Sequence, residues 1–234
     1  MTPPLAVLLD VGGIFLLPDH ERIGGAFARA EHPVAAEVLD DAHYAAAVRF
    51  GIDRDAEGDW AACWIAYLEG YAEFCGVPAD RREDVHLHLD NEFADAALWH
   101  REAPGCRAGL DDLAATGARL GIVSNADGMI AERLRARELL QVGPGLGVEV
   151  ECVIDSGAVG VMKPDPRIFQ LVLDAMGVDA RDAWYVGDMP GIDVVGARRA
   201  GLRPFLMDPL RLHLEADYDR VTSLAELAIA VNAA

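Results

Sequence analysis

An open parallel α/β sheet with an inserted α-helical unit is the fold this sequence predicts, and three observations predict it. Short apolar runs that stop abruptly at Asp, Asn or Gly recur along the 234 residues, as strands covered on both faces do. Segments of helical spacing separate the later runs, giving the strand–helix alternation of a parallel sheet. Between Pro18 and His100 that rhythm is missing, and alanine and aromatic residues recur at helical intervals instead.

The first run, Leu5–Leu9, ends at Asp10-Val11-Gly12-Gly13 and reads as the opening strand. Residues 18–100 read as a helical insertion, with helices over Ala42–Phe50 and Trp60–Cys75 and no strand-like run. Trp60, Trp64, Tyr67 and Tyr71 recur at intervals of four, three and four, which predicts one apolar helix face packed in a bundle ahead of a ligand-stacking stripe. A helix over Arg107–Thr116 stops at Gly117, and the strand Leu120–Val123 ends in Ser124-Asn125. Next come a helix over Met129–Leu140 and the strand Cys152–Ile154, ending in Asp155-Ser156-Gly157. The helix Pro166–Met176 is announced by Asp165-Pro166 and closed by Gly177. The strand Trp184–Val186 ends in Gly187-Asp188, a helix spans Ile192–Ala200, and the strand Phe205–Met207 ends at Asp208. Residues 1–17 and 101–234 thus form a doubly wound, Rossmann-like core, whose functional groups are expected at the carboxyl ends of its strands.

Composition narrows the partners. The chain carries 39 acidic and 20 basic residues, a net charge of −19, which excludes nucleic acid and anionic membranes as partners that select basic surfaces. The insertion alone holds 18 acidic and six basic residues, a balance of −12. Six of the seven histidines also lie there, expected on the surface or in helix packing; the close pair His86 and His88 is given no chemistry. The amino terminus lacks a basic region and reaches Asp10 well short of the roughly 20 apolar residues of a membrane span, so a cytoplasmic protein is expected. Cys63, Cys75, Cys106 and Cys152 are widely spaced, form no Cys-x-x-Cys pair, and read as reduced, mostly buried thiols. The oligomeric state stays open, a homodimer included. One detail stands out among the basic residues: 19 are arginine, and Lys163 is the lone lysine.

At the strand ends stand Asp10, then Ser124 and Asn125, then Lys163, then Asp188 and Asp193. Singly, each has an ordinary reading as a helix cap, a turn or a helix start. Together and in this order they resemble the four motifs of the haloacid dehalogenase-like hydrolase superfamily. The first motif matches as Leu-Leu-Asp10-Val-Gly12-Gly13-Ile14-Phe, the second as Gly-Ile-Val-Ser124-Asn125-Ala-Asp127-Gly. The third runs from Asp155 through Gly160-Val-Met-Lys163-Pro164-Asp165-Pro166 to Phe169, and the fourth is Tyr-Val-Gly187-Asp188 followed by Asp193 and Gly196-Ala197-Arg-Arg-Ala200-Gly201. The resemblance spans the whole chain, because that family places a helical cap between its first two motifs, where Pro18–His100 falls.

The resemblance implies a phosphatase acting on a small phosphorylated metabolite. Asp10 would be the nucleophile that takes the phosphoryl group; Ser124, Asn125 and Lys163 would hold phosphate oxygens; and Asp10, the Gly12 carbonyl, Asp188 and Asp193 would form a magnesium site. Physical chemistry agrees, since converging carboxylates that must attack an anionic phosphate need cations beside them. The chain departs from the family where a second aspartate of the first motif normally protonates the leaving oxygen: that position is Gly12, and Ile14 replaces the common threonine. Glycine keeps the ligand carbonyl but loses acid–base help, typically a factor of ~10²–10⁴. Three readings follow: a magnesium-dependent phosphatase for acyl, aryl or anhydride phosphates whose leaving group needs little protonation, or with Asp19 or His20 standing in for the acid; a carbon–halogen hydrolase; and a weakly active or inactive phosphate-binding protein. Arg22 and Arg49 are weak candidates for an anion contact in the cap.

Overall fold

The computed structural model describes residues 3–50, 59–213 and 215–234. The chain opens with strands β1 (Ala6–Leu9) and β2 (Leu16–Pro18), then enters helices α1 (His20–Arg29), α2 (Ala36–Ala47), α3 (Trp60–Phe74) and α4 (Arg82–Phe93). It returns through β3 (Trp99–Glu102), α5 (Cys106–Ala115), β4 (Arg119–Ser124) and α6 (Ile130–Ala136). The short strands β5 (Leu140–Val142) and β6 (Val148–Val150) lead to β7 (Cys152–Asp155), α7 (Ser156–Val159) and α8 (Pro166–Met176). β8 (Ala183–Gly187), a π-helical turn (Pro190–Val194), α9 (Val195–Arg199), β9 (Arg203–Met207), β10 (Asp219–Val221) and α10 (Leu224–Asn232) complete it.

Six strands form one parallel sheet in the order β10-β9-β8-β1-β4-β7. Its central strands alternate side chains between two apolar layers, which is why their sequences are continuous apolar runs. Val7, Leu9, Trp184 and Val186 face the layer completed by α5 and α10; Ala6, Leu8, Ala183 and Tyr185 face the layer of α8. Because β1 lies between β4 and β8, the carboxyl ends of the strands carrying Asp10, Ser124 and Asp188 open side by side, the usual crevice of such sheets.

Helices α1–α4 pack around Phe27, Leu39, Tyr67, Tyr71 and Leu89, and this cluster takes in Ile192 from the turn after β8. Asp165 caps α8 by accepting from Arg167 N, with Pro166 in its first turn and Gly177 in the left-handed region at its end (φ 61°).

Several elements differ from the sequence expectation. The helix expected over Met129–Leu140 covers only Ile130–Ala136: Glu138 adopts a left-handed φ of 54°, and Leu140 begins a strand paired with β6. The insertion was expected to lack strands, yet its ends pair as an antiparallel ribbon, β2 with β3; the polar Trp-His-Arg-Glu of β3 carries no apolar run to announce it. α10 also lay outside the expected set although its signal is present: Ser223 Oγ accepts from Glu226 N while Glu226 accepts from Thr222 N, a capping-box arrangement. The cysteines are free thiols. Among the described residues, no helix is long and apolar enough to cross a membrane.

Candidate active site

Three of the residues singled out from sequence meet in direct contact, with Asp188 close beside them. Lys163 Nζ lies 2.8 Å from Asp10 Oδ1 and 2.8 Å from Asp193 Oδ1. It also donates to the Tyr185 hydroxyl at 2.8 Å, which in turn donates to Asp193 Oδ1 at 2.6 Å. The other Asp193 oxygen accepts from Met189 N at 2.9 Å. Asp10, Asp188 and Asp193 each present an oxygen within 4.8 Å of the others, and all three are buried. Tyr185 was not singled out from sequence; it reads there as one more apolar strand residue.

Ser124, Asn125 and Gly12 line the same cavity. The Asn125 side chain is committed to the lysine: its amide donates to Lys163 O at 3.0 Å and its carbonyl accepts from Lys163 N at 2.8 Å. It therefore fixes the backbone that carries the lone lysine, and one amide N–H and the main chain remain beyond these two bonds. Asp155 braces the neighbouring turn by accepting from Ile130 N and Gly157 N.

The electrostatics are those of a cluster short of positive charge. Burial, with Asp193 and Asp188 adding repulsion, pushes the Asp10 carboxyl up to about 7 even though Lys163 pulls it down. Burial also raises Asp188, against the opposing pull of its hydrogen bond to His43. Burial alone would lower Lys163, but Asp10 and Asp193 override it and hold the ammonium above its ordinary range. Three hard oxygen donors facing one ammonium suit a divalent cation such as magnesium.

Two glycines make room for the acids. Gly13 has a φ of +67°, and a Cβ there would stand 2.4 Å from Asp188 Cγ. A Cβ on Gly187 would stand 2.2 Å from Asp193 Cγ. At Gly12 the neighbour is different: a Cβ would meet the Trp99 ring at 3.3 Å. The indole occupies the ground into which an acidic side chain at position 12 would extend.

The helical layer reaches the same turn. His43 is fully buried, with Nε2 2.9 Å from Asp188 Oδ2 and Nδ1 3.0 Å from the Tyr67 hydroxyl. A carboxylate only accepts, so Nε2 carries the proton toward Asp188. Next to it, Tyr44 donates to Gly13 O at 2.7 Å, and Gly191 N donates to Phe50 O at 3.1 Å. His43 was expected in helix packing, and as a lone histidine it gives no motif; only the fold brings it to an acid 145 residues away.

The cavity above Asp10 holds about 350 Å³. The aromatic stripe of α3 is divided between two tasks. Tyr67 and Tyr71 are buried in the bundle as expected, whereas Trp60 and Trp64 line the cavity. Other residues weighed as substitutes lie elsewhere. Asp19 caps α1 through Arg22 N and sits 3.1 Å from His100 Nε2; His20 Nε2 bonds Asp40 at 2.6 Å; neither lines the cavity. Arg22 is tied to Glu92 and Asp95, and Arg49 to Glu73. Arg133, which drew no attention in the sequence, does line the cavity, held by Asp127 through bonds of 2.8 and 2.6 Å.

Comparison with known proteins agrees with this architecture. The family model for haloacid dehalogenase-like hydrolases matches residues 5–201. A phosphoserine phosphatase of Thermus thermophilus is 39% identical over 214 residues, covering 87% of this chain and 81% of that protein. A phosphoglycolate phosphatase of Rhodospirillum rubrum is 39% identical over 104 residues, 44% of this chain and 40% of its own length. Among solved structures, a phosphatase from Thermococcus onnurineus superposes with a TM-score of 0.55 at 21% identity, covering 99% of this chain and 98% of its own. A 2-haloacid dehalogenase from Pseudomonas syringae gives 0.52 at 22% identity, covering 98% and 99%. The structural likeness is therefore one of fold, shared by both chemistries. With the family model spanning all four motifs, the chain belongs to the haloacid dehalogenase-like hydrolases.

Proposed function

We propose that this chain is a magnesium-dependent phosphatase for a small phosphorylated substrate, working through a phosphorylated Asp10, with residues 18–100 as its cap. The observation that carries the reading is the buried cluster itself, three carboxylates converging on the one ammonium of Lys163. The cation would be held by Asp10, Asp188 and the Gly12 carbonyl, with Asp193 beside them; bound there, it supplies positive charge against the phosphate oxygens.

The chain's own residues divide the remaining work. An Asp10 oxygen attacks phosphorus, forming the carboxyl–phosphate bond as the ester oxygen leaves with its electron pair. Lys163, fixed by Asp193, Tyr185 and the Asn125 side chain, offsets charge on the phosphoryl oxygens. The Ser124 hydroxyl and the Asn125 main-chain N–H donate neutral hydrogen bonds that add no negative charge. Water then cleaves the acyl phosphate, returning Asp10 and releasing phosphate. No side chain at position 12 supplies a proton to the leaving oxygen, so the leaving group departs largely unassisted.

Hydrolysis of acetyl phosphate and p-nitrophenyl phosphate, with and without magnesium, tests this reading. Turnover only with magnesium, and a phosphate label on Asp10 in quenched reactions, are the expected results. Phosphate binding without turnover, or halide release from 2-haloacids without metal, would overturn it.

A further inference from the structure

Two independent features of the cavity meet in one class of substrate. One is its walls. Phe50, Trp60, Trp64, Phe93 and Trp99 line it above Asp10, and their rings touch edge to face, Phe50 with Trp60 at 5.0 Å and Trp64 with Phe93 at 5.4 Å. Trp60 is 40% exposed, so an apolar ring in this lining keeps uncovered surface. The other feature is on the leaving-group side, where, among the described residues, no side chain at positions 12, 19 or 20 supplies a proton. Position 12 has no side chain, the Trp99 ring fills the adjoining space, and Asp19 and His20 are bonded elsewhere.

We infer that the preferred substrates are phosphate monoesters of phenols. The inference rests on the phosphatase reading above and specifies its substrate. A phenolic oxygen has a pKa of ~10, well below that of an alkyl alcohol, so it leaves as the anion at far lower cost and has the least need of the missing acid. Its ring is the shape the walls accept, burying flat apolar surface against indole and phenyl faces. About 350 Å³ holds the phosphate and a group of one or two rings.

Apart from Asp10, Lys163, Asp188 and Asp193, Arg133 is the one charged side chain among the described lining residues, and Asp127 takes one N–H from each of its terminal nitrogens. The ammonium of an amino-acid phosphate would meet, among the described lining residues, no carboxylate beyond those of the floor. Aromatic walls also attract quaternary ammonium groups. Phosphocholine, however, leaves as an alkyl oxygen and would need the proton that position 12 does not supply.

The test compares kcat/KM at saturating magnesium for 1-naphthyl phosphate, a series of substituted phenyl phosphates, phosphoserine and phosphocholine, with ring-free acetyl phosphate as reference. 1-Naphthyl phosphate is expected to exceed phosphoserine and phosphocholine by ~10²-fold or more, and phenyl phosphate rates are expected to fall steeply as the leaving phenol's pKa rises. Trp60→Ala should lower the naphthyl-to-acetyl ratio about tenfold through KM, and Trp60→Phe should restore most of it. Binding of naphthyl phosphonate, which cannot turn over, should weaken in parallel in Trp60→Ala. Acetyl phosphate turnover without an aryl preference, or a ratio unmoved by Trp60→Ala, overturns the inference and leaves the phosphatase reading intact. Failure to hydrolyse any of these compounds overturns both.

Discussion

The floor and the walls of the cavity are built on opposite principles. On the floor, Asp193 is fixed by Lys163, Tyr185 and Met189 N. Asp188 and Asp193 pack against Gly13 and Gly187, where an added methyl group would force the acid to move. On the walls, aromatic rings from α3, the end of α4 and β3 meet edge to face, a looser contact in which shape matters more than any one bond. The difference teaches where the chain can vary. On the proposed reading, charge placed at strand ends dictates the reaction, and rings carried by the insertion select what undergoes it. Floor substitutions should therefore lower kcat for every substrate together, whereas wall substitutions should redistribute kcat/KM among substrates.

The largest effect is expected at Asp10. Asp10→Asn should reduce acetyl phosphate turnover by at least about 10³-fold, and a smaller loss would remove it as the nucleophile. The same change takes one negative charge out of a crowded cluster. Metal-free Asp10→Asn should accordingly melt about 2–4 °C above the metal-free parent by calorimetry. Chelation should act on the same floor: EDTA is expected to stop turnover, and magnesium to restore it while raising Tm.

Gly13→Ala comes next. It demands a left-handed φ from alanine and places a carbon 2.4 Å from Asp188 Cγ, so the acid must shift. A loss of about 10²-fold in kcat for all phosphates is expected, visible in steady-state assays as a higher magnesium requirement. Tyr185→Phe should cost less, about tenfold in kcat, because Lys163 keeps Asp10 and Asp193 as partners while losing one bond.

The smallest change is also the most discriminating, because it brings floor and wall into collision. Gly12→Asp supplies the missing acid, but its Cβ meets the Trp99 ring at 3.3 Å. Alkyl phosphate turnover should rise only a few-fold in Gly12→Asp alone and further in Gly12→Asp with Trp99→Phe, where the smaller ring gives way. Equal rates in the two variants would show that the indole does not compete with an acid for that space.

The sequence exposes those parts of the molecule that obey a local rule. The main strands are legible because a strand buried on both faces must be apolar throughout, as Leu8 and Val186 are. The floor is legible because its residues occupy strand ends in motif order, with Lys163 conspicuous as the lone lysine. The ribbon of β2 and β3 is not, since Pro18 and Arg101 fit a loop equally well and only pairing makes them strands. Nor are His43 and Arg133. Each is an unremarkable helix residue until folding sets it against Asp188 or the cavity. The aromatic stripe was half legible: helical spacing reveals a shared face but not that Trp60 and Trp64 look past the bundle.

Consecutive residues of α2 hold the turns after two neighbouring strands, His43 through the Asp188 carboxylate after β8 and Tyr44 through the Gly13 carbonyl after β1. Any movement that lifts this helix from the sheet must break both bonds at once, and those bonds also set the position of an acid on the floor. A change that weakens the hold of α2 therefore reaches the floor as well, so the helical layer cannot be loosened there without disturbing an acid of the cluster.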